Sequence, residues 1–476
     1  MNNYFKNIIF KLITIIVGIV LFASTLIHVS YLHRGYTKLN GFYYLKKNSI
    51  DLAVIGTSTT LTSFLPLDAF NDYGISAYNY TTNAHFENTI KYSIIDIKRT
   101  QNPTAFLIDL TPFIFEHYAG NESWPSDQKE LYIKYNLDSR KYHFDRLKII
   151  NEILIDKNES KNINDYLYYF FDIARYHTNK INIDNFNNSA KNFSRGFEHF
   201  RHIDKHGYID IDKVVFSDKK TERINEREEF YLDELIRMAK QKDNNIVFYC
   251  PPVLFYDKKY LRRKNYIIEY LKNNSVNYID LHEKYDDIHM IHYMDFWDDL
   301  HFDALGAEKI TKTLCEYIKN NYAIPDRRKE SAYEDQIEDC KEWENIKGEY
   351  VFLDLTSAAV DIRDGKVKKK ITEENTENTE SIESIDKLIE IASKSNIKKS
   401  TSKNKNTKTN TKNNNKDKNI DNNTSSNTHE ENTSNIINSI GRNVITDSID
   451  NDELQGESRI YSFKRPTGPD EQNKKD

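Results

Sequence analysis

Five short apolar runs, separated by stretches with helical spacing, constrain this chain more than any other feature. They are Asp51–Gly56 (DLAVIG), Ile75–Tyr80 (ISAYNY), Thr104–Leu110 (TAFLIDL), Asn245–Cys250 (NIVFYC) and Val276–Leu281 (VNYIDL). Near-continuous apolar runs of this length are what strands buried on both faces require. Around them, His85–Arg99, Glu226–Lys242, Tyr256–Asn273 and Ala304–Tyr322 carry helical patterns, the last opened by Asp303 as an N-cap. Strands alternating with helices predict an α/β fold, a three-layer αβα sandwich with a mostly parallel sheet. In such folds ligands bind at the carboxyl ends of the strands, so the chemistry is expected there.

These elements lie between about residues 48 and 323 of the 476. At roughly 150 residues per domain the length would suit about three domains, but a mean hydropathy of −0.73 is too low for three cores. The chain divides instead into three unlike parts. After a short segment 1–11, Leu12–Leu32 (LITIIVGIVLFASTLIHVSYL) has no Asp, Glu, Lys or Arg and is long enough for a bilayer core of roughly 30 Å. It is either a cleaved signal peptide or an uncleaved anchor. Its length exceeds a signal h-region and no A-x-A site follows, which favours the anchor. Lys6 and Lys11 precede it while Arg34, Lys38, Lys46 and Lys47 follow, so charge does not set its orientation.

From about Pro325 the composition turns toward Lys, Glu, Asn, Ser and Thr. Residues 324–367 read as a partly ordered extension, in which Lys341–Val367 keeps Trp343, Tyr350, Phe352 and Leu353 and suits a short hairpin or docking segment. Residues 368–476 read as a disordered low-complexity tail, because stretches such as SKNKNTKTNTKNNNKDKN offer almost nothing to bury against the entropy of ordering. The clusters Ile436–Val444 and Ile460–Phe463 suit short linear binding sites, although a solvated spacer is the plainer reading. With 67 Lys+Arg against 73 Asp+Glu, the balance excludes a polybasic nucleic-acid binder. Cys250, Cys315 and Cys340 are too few and too far apart for a disulfide scaffold or a zinc ribbon.

The first run ends in Gly56-Thr57-Ser58-Thr59-Thr60. A hydroxyl on the sharp turn after the first strand is where an acyl-transfer nucleophile sits, although Gly, Ser and Thr also serve such turns as ordinary caps. The balance shifts at the far end of the body, where DFWDDLHFDALGAEKI places Asp298 three residues before His301. In that spacing the carboxylate can accept the imidazole Nδ1–H and leave Nε2 to take a proton from a serine. Between the third and fourth runs lies a long, mostly helical insertion, about 115–221, suited to a lid or recognition subdomain. Within it His199, His202 and His206 share metal-like spacing, but without a carboxylate between them surface histidines are the simpler reading. His289 and His292 read as solvent-facing loop residues near the site, and Pro251-Pro252 as a shaper of the cleft rim.

The Gly-x-Ser turn after the first strand, paired with a C-terminal Asp-x-x-His before a Gly-Ala helix, resembles the SGNH (GDSL-like) hydrolase superfamily. With the N-terminal anchor, the Gly-Thr-Ser form and the long insertion, it looks most like the membrane-anchored cell-envelope members, DltD-like and AlgJ/AlgX-like O-acyltransfer proteins. That resemblance implies a flavodoxin-like sheet, with Ser58 as nucleophile, His301 as general base and Asp298 as the residue orienting it. Asp299 is then structural. The Ser58 backbone N–H would be one oxyanion donor. The family's GxND block is replaced by Asp109-Leu110-Thr111-Pro112, so Asn83, in Asn79-Tyr80-Thr81-Thr82-Asn83-Ala84, is the side-chain donor expected instead.

The implied protein is a single-pass, extracytoplasmic serine acyltransferase or esterase. It would move an acetyl or D-alanyl group on a polysaccharide or teichoic-acid-like acceptor, with a membrane-bound O-acyltransferase as partner, and with no cofactor, no metal and no nucleic acid. The missing GxND equally suits a non-catalytic SGNH-like binding or assembly component of the envelope.

Overall fold

A computed structural model describes residues 3–33, 39–157, 162–176, 193–200, 209, 211–363, 367–369 and 454–456. Five strands form one all-parallel sheet: β1 (Leu52–Gly56), β2 (Ala77–Thr81), β3 (Ala105–Asp109), β4 (Ile246–Cys250) and β5 (Asn277–Asp280), in the order β2-β1-β3-β4-β5. Each predicted apolar run coincides with one of them, β2 extending one residue beyond its run to Thr81. All residues of β1 to β4 are buried, as strands covered on both faces must be.

The chain leaves β1 toward β2 in one direction and then crosses back to β3, β4 and β5 in the other, so right-handed crossovers place helices on both faces. One layer holds α3 (Ser58–Ser63), α4 (Pro66–Tyr73) and α14 (Ala304–Asn321), which pack together. On the other, α5 (Ile90–Ile97) meets α11 (Glu226–Ala239) through Lys91 and Glu234, 2.6 Å apart, and α12 (Lys258–Asn273) reaches α11 through Tyr270 and Asp233. An Asn225–Glu228 capping box starts α11.

Before the sheet, α1 (Asn3–His33) contains Lys6–Ile27, a helix long and apolar enough to cross a membrane. That window starts nearer the N-terminus than residues 12–32. The short α2 (Asn40–Tyr43) and the residue before it bury Phe42 and Leu39 in the main core.

After α6 (Thr111–Ile114), the described part of the insertion up to residue 176 is mostly helical, in α7 (Ser126–Asp138), α8 (Asp145–Asp156), α9 (Ile163–Phe170) and α10 (Ile173–Tyr176), while 193–200 and 214–221 are not helical. It builds its own core from Phe86, Ile133, Leu137, Ile149, Ile153 and Leu154. Arg146 and Arg175 both pair with Asp138 and Asp172, with side chains at most 3% exposed, which neutralises the charges that burial would penalise.

After the sheet come α13 (His292–Asp295), α14 and α15 (Glu334–Arg363). Here the expected hairpin at 341–367 is corrected: the segment is the greater part of a 30-residue helix. Cys340, Trp343, Val351 and Leu355 are buried on one side of it, against α4 and α14. Beyond it only Val367–Lys369 (β6) and Leu454–Gly456 (β7), paired antiparallel, are described. The rest of the predicted tail, with both of its apolar clusters, lies outside the described residues, as do His202 and His206.

Candidate active site

β1 ends at Gly56 between β2 and β3, where the connections reverse direction, the position at which open parallel sheets bind ligands. A Cβ at Gly56 would lie 1.9 Å from Thr60 Oγ1 and 2.7 Å from Asp109 Cβ, so only glycine lets β1 turn this tightly against β3. Thr57 is the N-cap of α3, its Oγ1 accepting the Thr59 N–H at 3.2 Å, and Ser58 is the first helical residue. The Ser58 N–H therefore belongs to the first turn, whose amides have no acceptor within the helix.

Ser58 Oγ lies 2.8 Å from His301 Nε2. On the other side of the ring, Nδ1 lies 2.9 Å from both Asp298 carboxylate oxygens. Asp298 also accepts the N–H groups of Leu300 and His301 at 2.8 Å, so the loop folds around this carboxylate. Burial alone would raise the Asp298 carboxyl, but the His301 imidazole and these donors outweigh it and hold the group below its ordinary value. Residues far apart in sequence are thus brought into one hydrogen-bonded relay. Its side chains are partly open, with His301 at 12% and Asp298 at 20% exposed, and Ser58 is half-buried.

Asp299 contributes its backbone, its carbonyl accepting the Leu254 N–H at 2.9 Å. Asn83 sits half-buried in the turn after β2, whose last residue, Thr81, pairs with Gly56; the turn stands at the sheet edge where Ser58 begins α3. Pro251 and Pro252 are buried after β4.

Beneath the relay lies a layer that sequence reasoning missed. Asp109, fully buried at the end of β3, accepts through Oδ1 from the Thr111 N–H at 2.8 Å and its hydroxyl at 2.5 Å, and through Oδ2 from the Thr60 hydroxyl at 2.9 Å. The Thr57 N–H and hydroxyl complete the set at 3.4 Å. Tyr249 on β4 reaches Thr60 Oγ1 at 2.7 Å. Burial raises the Asp109 carboxyl, and its five donors only partly offset that. His85, also fully buried, places Nδ1 3.1 Å from the Gly56 carbonyl and Nε2 3.2 Å from Ser93 Oγ. Burial, reinforced by the Arg140 charge, lowers His85 to about 3, so it is neutral at ordinary pH. The signal available for Asp109 was a lone acid closing an apolar strand.

Two readings of histidines are corrected. His199 is no surface residue: its side chain is 2% exposed and pairs with Asp354. The stretch 193–200 that carries it is turn and irregular chain rather than helix. Gly196, at φ 90°, lets this stretch lie against β2, where the Asn79 N–H donates to the Arg195 carbonyl. His292 is buried at the start of α13, and burial lowers it to about 4. His289 adopts a positive φ of 53° in the preceding loop. Asp303 does take the N-cap position of α14, but its side chain makes no cap bond.

Comparison of the chain with family models, with curated proteins and with solved structures finds no match to any of them.

Proposed function

We propose that this chain is a membrane-anchored, extracytoplasmic serine acyltransferase or esterase of the SGNH type, acting on cell-envelope polymers. The observation that carries the proposal is the relay from Ser58 through His301 to Asp298, with both hydrogen bonds at 2.8–2.9 Å. Bound to Asp298 through Nδ1–H, the imidazole presents the bare Nε2 lone pair to Ser58, which is the tautomer a general base needs.

In the proposed reaction Ser58 Oγ attacks the carbonyl carbon of an acyl ester or thioester while its proton passes to His301 Nε2. The carbonyl π bond becomes an oxyanion received by the Ser58 N–H, with Asn83 as the expected second donor. One such donor is worth about 3 kcal/mol. Collapse expels the alcohol or thiol, which takes the proton from His301, and leaves the acyl group on Ser58. A sugar or polyol hydroxyl of the envelope polymer, or water, then repeats the sequence in reverse. An acetyl or D-alanyl group fits the resemblance, as does a membrane-bound O-acyltransferase that supplies it. The apolar α1 fits an anchor that keeps the body near the envelope.

The test is capture by a fluorophosphonate probe. The proposal expects stoichiometric labelling of the full chain, lost in Ser58→Ala, and a fall in envelope acyl content in cells carrying that variant. A wild-type chain that stays unlabelled under conditions where its fold is intact sinks the catalytic reading and leaves the binding or assembly role. Protease shaving of intact cells tests sidedness, since protection of the body would place it inside.

A further inference from the structure

The loop that carries His301 is held from outside the sheet. The N–H of Ala304, first residue of α14, donates to Asp354 Oδ2 on α15 at 3.0 Å. A first-turn amide has no acceptor in its own helix and is ordinarily satisfied by the local N-cap; here a carboxylate fifty residues away takes that place. The same carboxylate lies 2.9 and 3.0 Å from His199 Nε2, with the two side chains only 2% and 5% exposed. The His199 ring lies flat on that of Tyr350, at 4.2 Å and 5° between planes. The next residue, Phe200, packs on the His301 imidazole with ring centroids 5.0 Å apart, and on Trp297 at 5.2 Å.

One side chain on α15 is therefore bonded both to the segment that follows His301 and to the segment that covers its ring. The helix has separate attachments to α4, where Trp343 Nε1 donates to Asp68 at 2.6 Å and Lys347 Nζ lies 2.8 Å from the same carboxylate. Removal of Asp354 thus leaves α15 docked.

We infer that Asp354 is a positioning residue for His301: through Ala304 it fixes the loop, and through His199 and Phe200 it fixes the plane of the imidazole, keeping Nε2 on Ser58. The role rests on the Ser58 reading and extends the working site to a helix outside the α/β layers. Displacements near 1 Å at such a base can cost on the order of a hundredfold in rate. Loss of one of several supports is expected to cost about tenfold.

The test compares wild type, Asp354→Ala, Asp354→Asn and Trp343→Phe as full-length chains in detergent micelles, by rate of fluorophosphonate capture and by amide hydrogen exchange. Asp354→Ala is expected to slow capture about tenfold and to speed exchange in peptides spanning 197–200 and 297–305. Asp354→Asn, which returns an acceptor to the Ala304 N–H, recovers the rate to within about threefold of wild type. Trp343→Phe loosens α15 at its other end and leaves capture within twofold. The inference is overturned if Asp354→Ala is captured at the wild-type rate, if Trp343→Phe slows capture equally, or if exchange at 297–305 is unchanged. A wild-type chain that resists the probe defeats the Ser58 reading, and the exchange measurement then decides by itself whether Asp354 holds the loop.

Discussion

The turn after β1 and the loop before α14 bring Ser58 and His301 to one point, yet they are secured by opposite means. The Ser58 turn is held from within the sheet: Asp109, one strand away, gathers two N–H groups and three threonine hydroxyls, and His85 meets the carbonyl at the end of β1. Every group in that layer is buried and none has a salt-bridge partner among the described residues. The His301 loop is held by its own Asp298, paired with His301, and by Asp354 on α15. In the proposed relay the nucleophile would thus rest on the sheet's own supports, whereas its base would depend on a helix that follows the α/β layers. The two supports should fail differently when broken.

The largest effect is expected on the loop side. Asp298→Asn keeps an acceptor for the Leu300 and His301 amides but no longer enforces the Nδ1–H tautomer. Capture by the fluorophosphonate probe should fall by at least about a hundredfold, and a rate within threefold of wild type would remove Asp298 from the relay.

Next comes the turn side, where the effect should appear in stability. Asp109→Ala strands the Thr57 and Thr111 amides and hydroxyls in a buried site and leaves the Thr60 hydroxyl only Tyr249. At roughly 1–3 kcal/mol for each buried donor left unmet, denaturant unfolding should register a loss of at least about 3 kcal/mol. A loss under 1 kcal/mol would mean that water reaches this layer, and the contrast between the two supports would dissolve.

The smallest effect distinguishes the supports by pH. His85 has a folded value near 3 against about 6.5 when unfolded. Between those values the unfolded chain binds a proton that the folded chain refuses. Stability is therefore complete above about pH 6.5 and declines as pH falls toward 3. From pH 7 to pH 5 this one group costs about 2 kcal/mol. His85→Gln cannot ionise, so chemical unfolding should show a drop smaller by that amount over the same interval. Equal drops in the two chains would show that His85 accepts a proton while folded.

The readable parts of this protein are those whose cause is local. A strand buried on both faces writes itself as a continuous apolar run, so β1 to β5 fell on the predicted segments, β2 running one residue past its own to Thr81. Asp298 and His301 stand three residues apart on one loop, and Ser58 follows a strand end, so the relay could be assembled from spacing and a rule about sheet edges. Asp109 and His85 gave no such pattern, because their partners lie across β1 or in other elements and an isolated acid or histidine carries no period. α15 was hidden for another reason. Its buried stripe, Cys340, Trp343, Val351 and Leu355, follows steps of three, eight and four residues, but a charged composition of the kind EDQIEDCKEWENIKGEY masks it. His199 was misread as a surface residue because its acid, Asp354, is distant in sequence and only folding brings the two together.

The short join between α1 and the core carries a last consequence. The apolar window ends at Ile27 and the chain is already packed into the body at Leu39. With α1 in a bilayer, six of the dozen or so residues in between still belong to the helix, and the leash reaches at most about 30 Å. A body held this way searches a thin layer rather than a volume. What governs its encounters is the number of partners per unit of membrane area, and a polymer strand that does not dip into that layer is out of reach however abundant it is elsewhere.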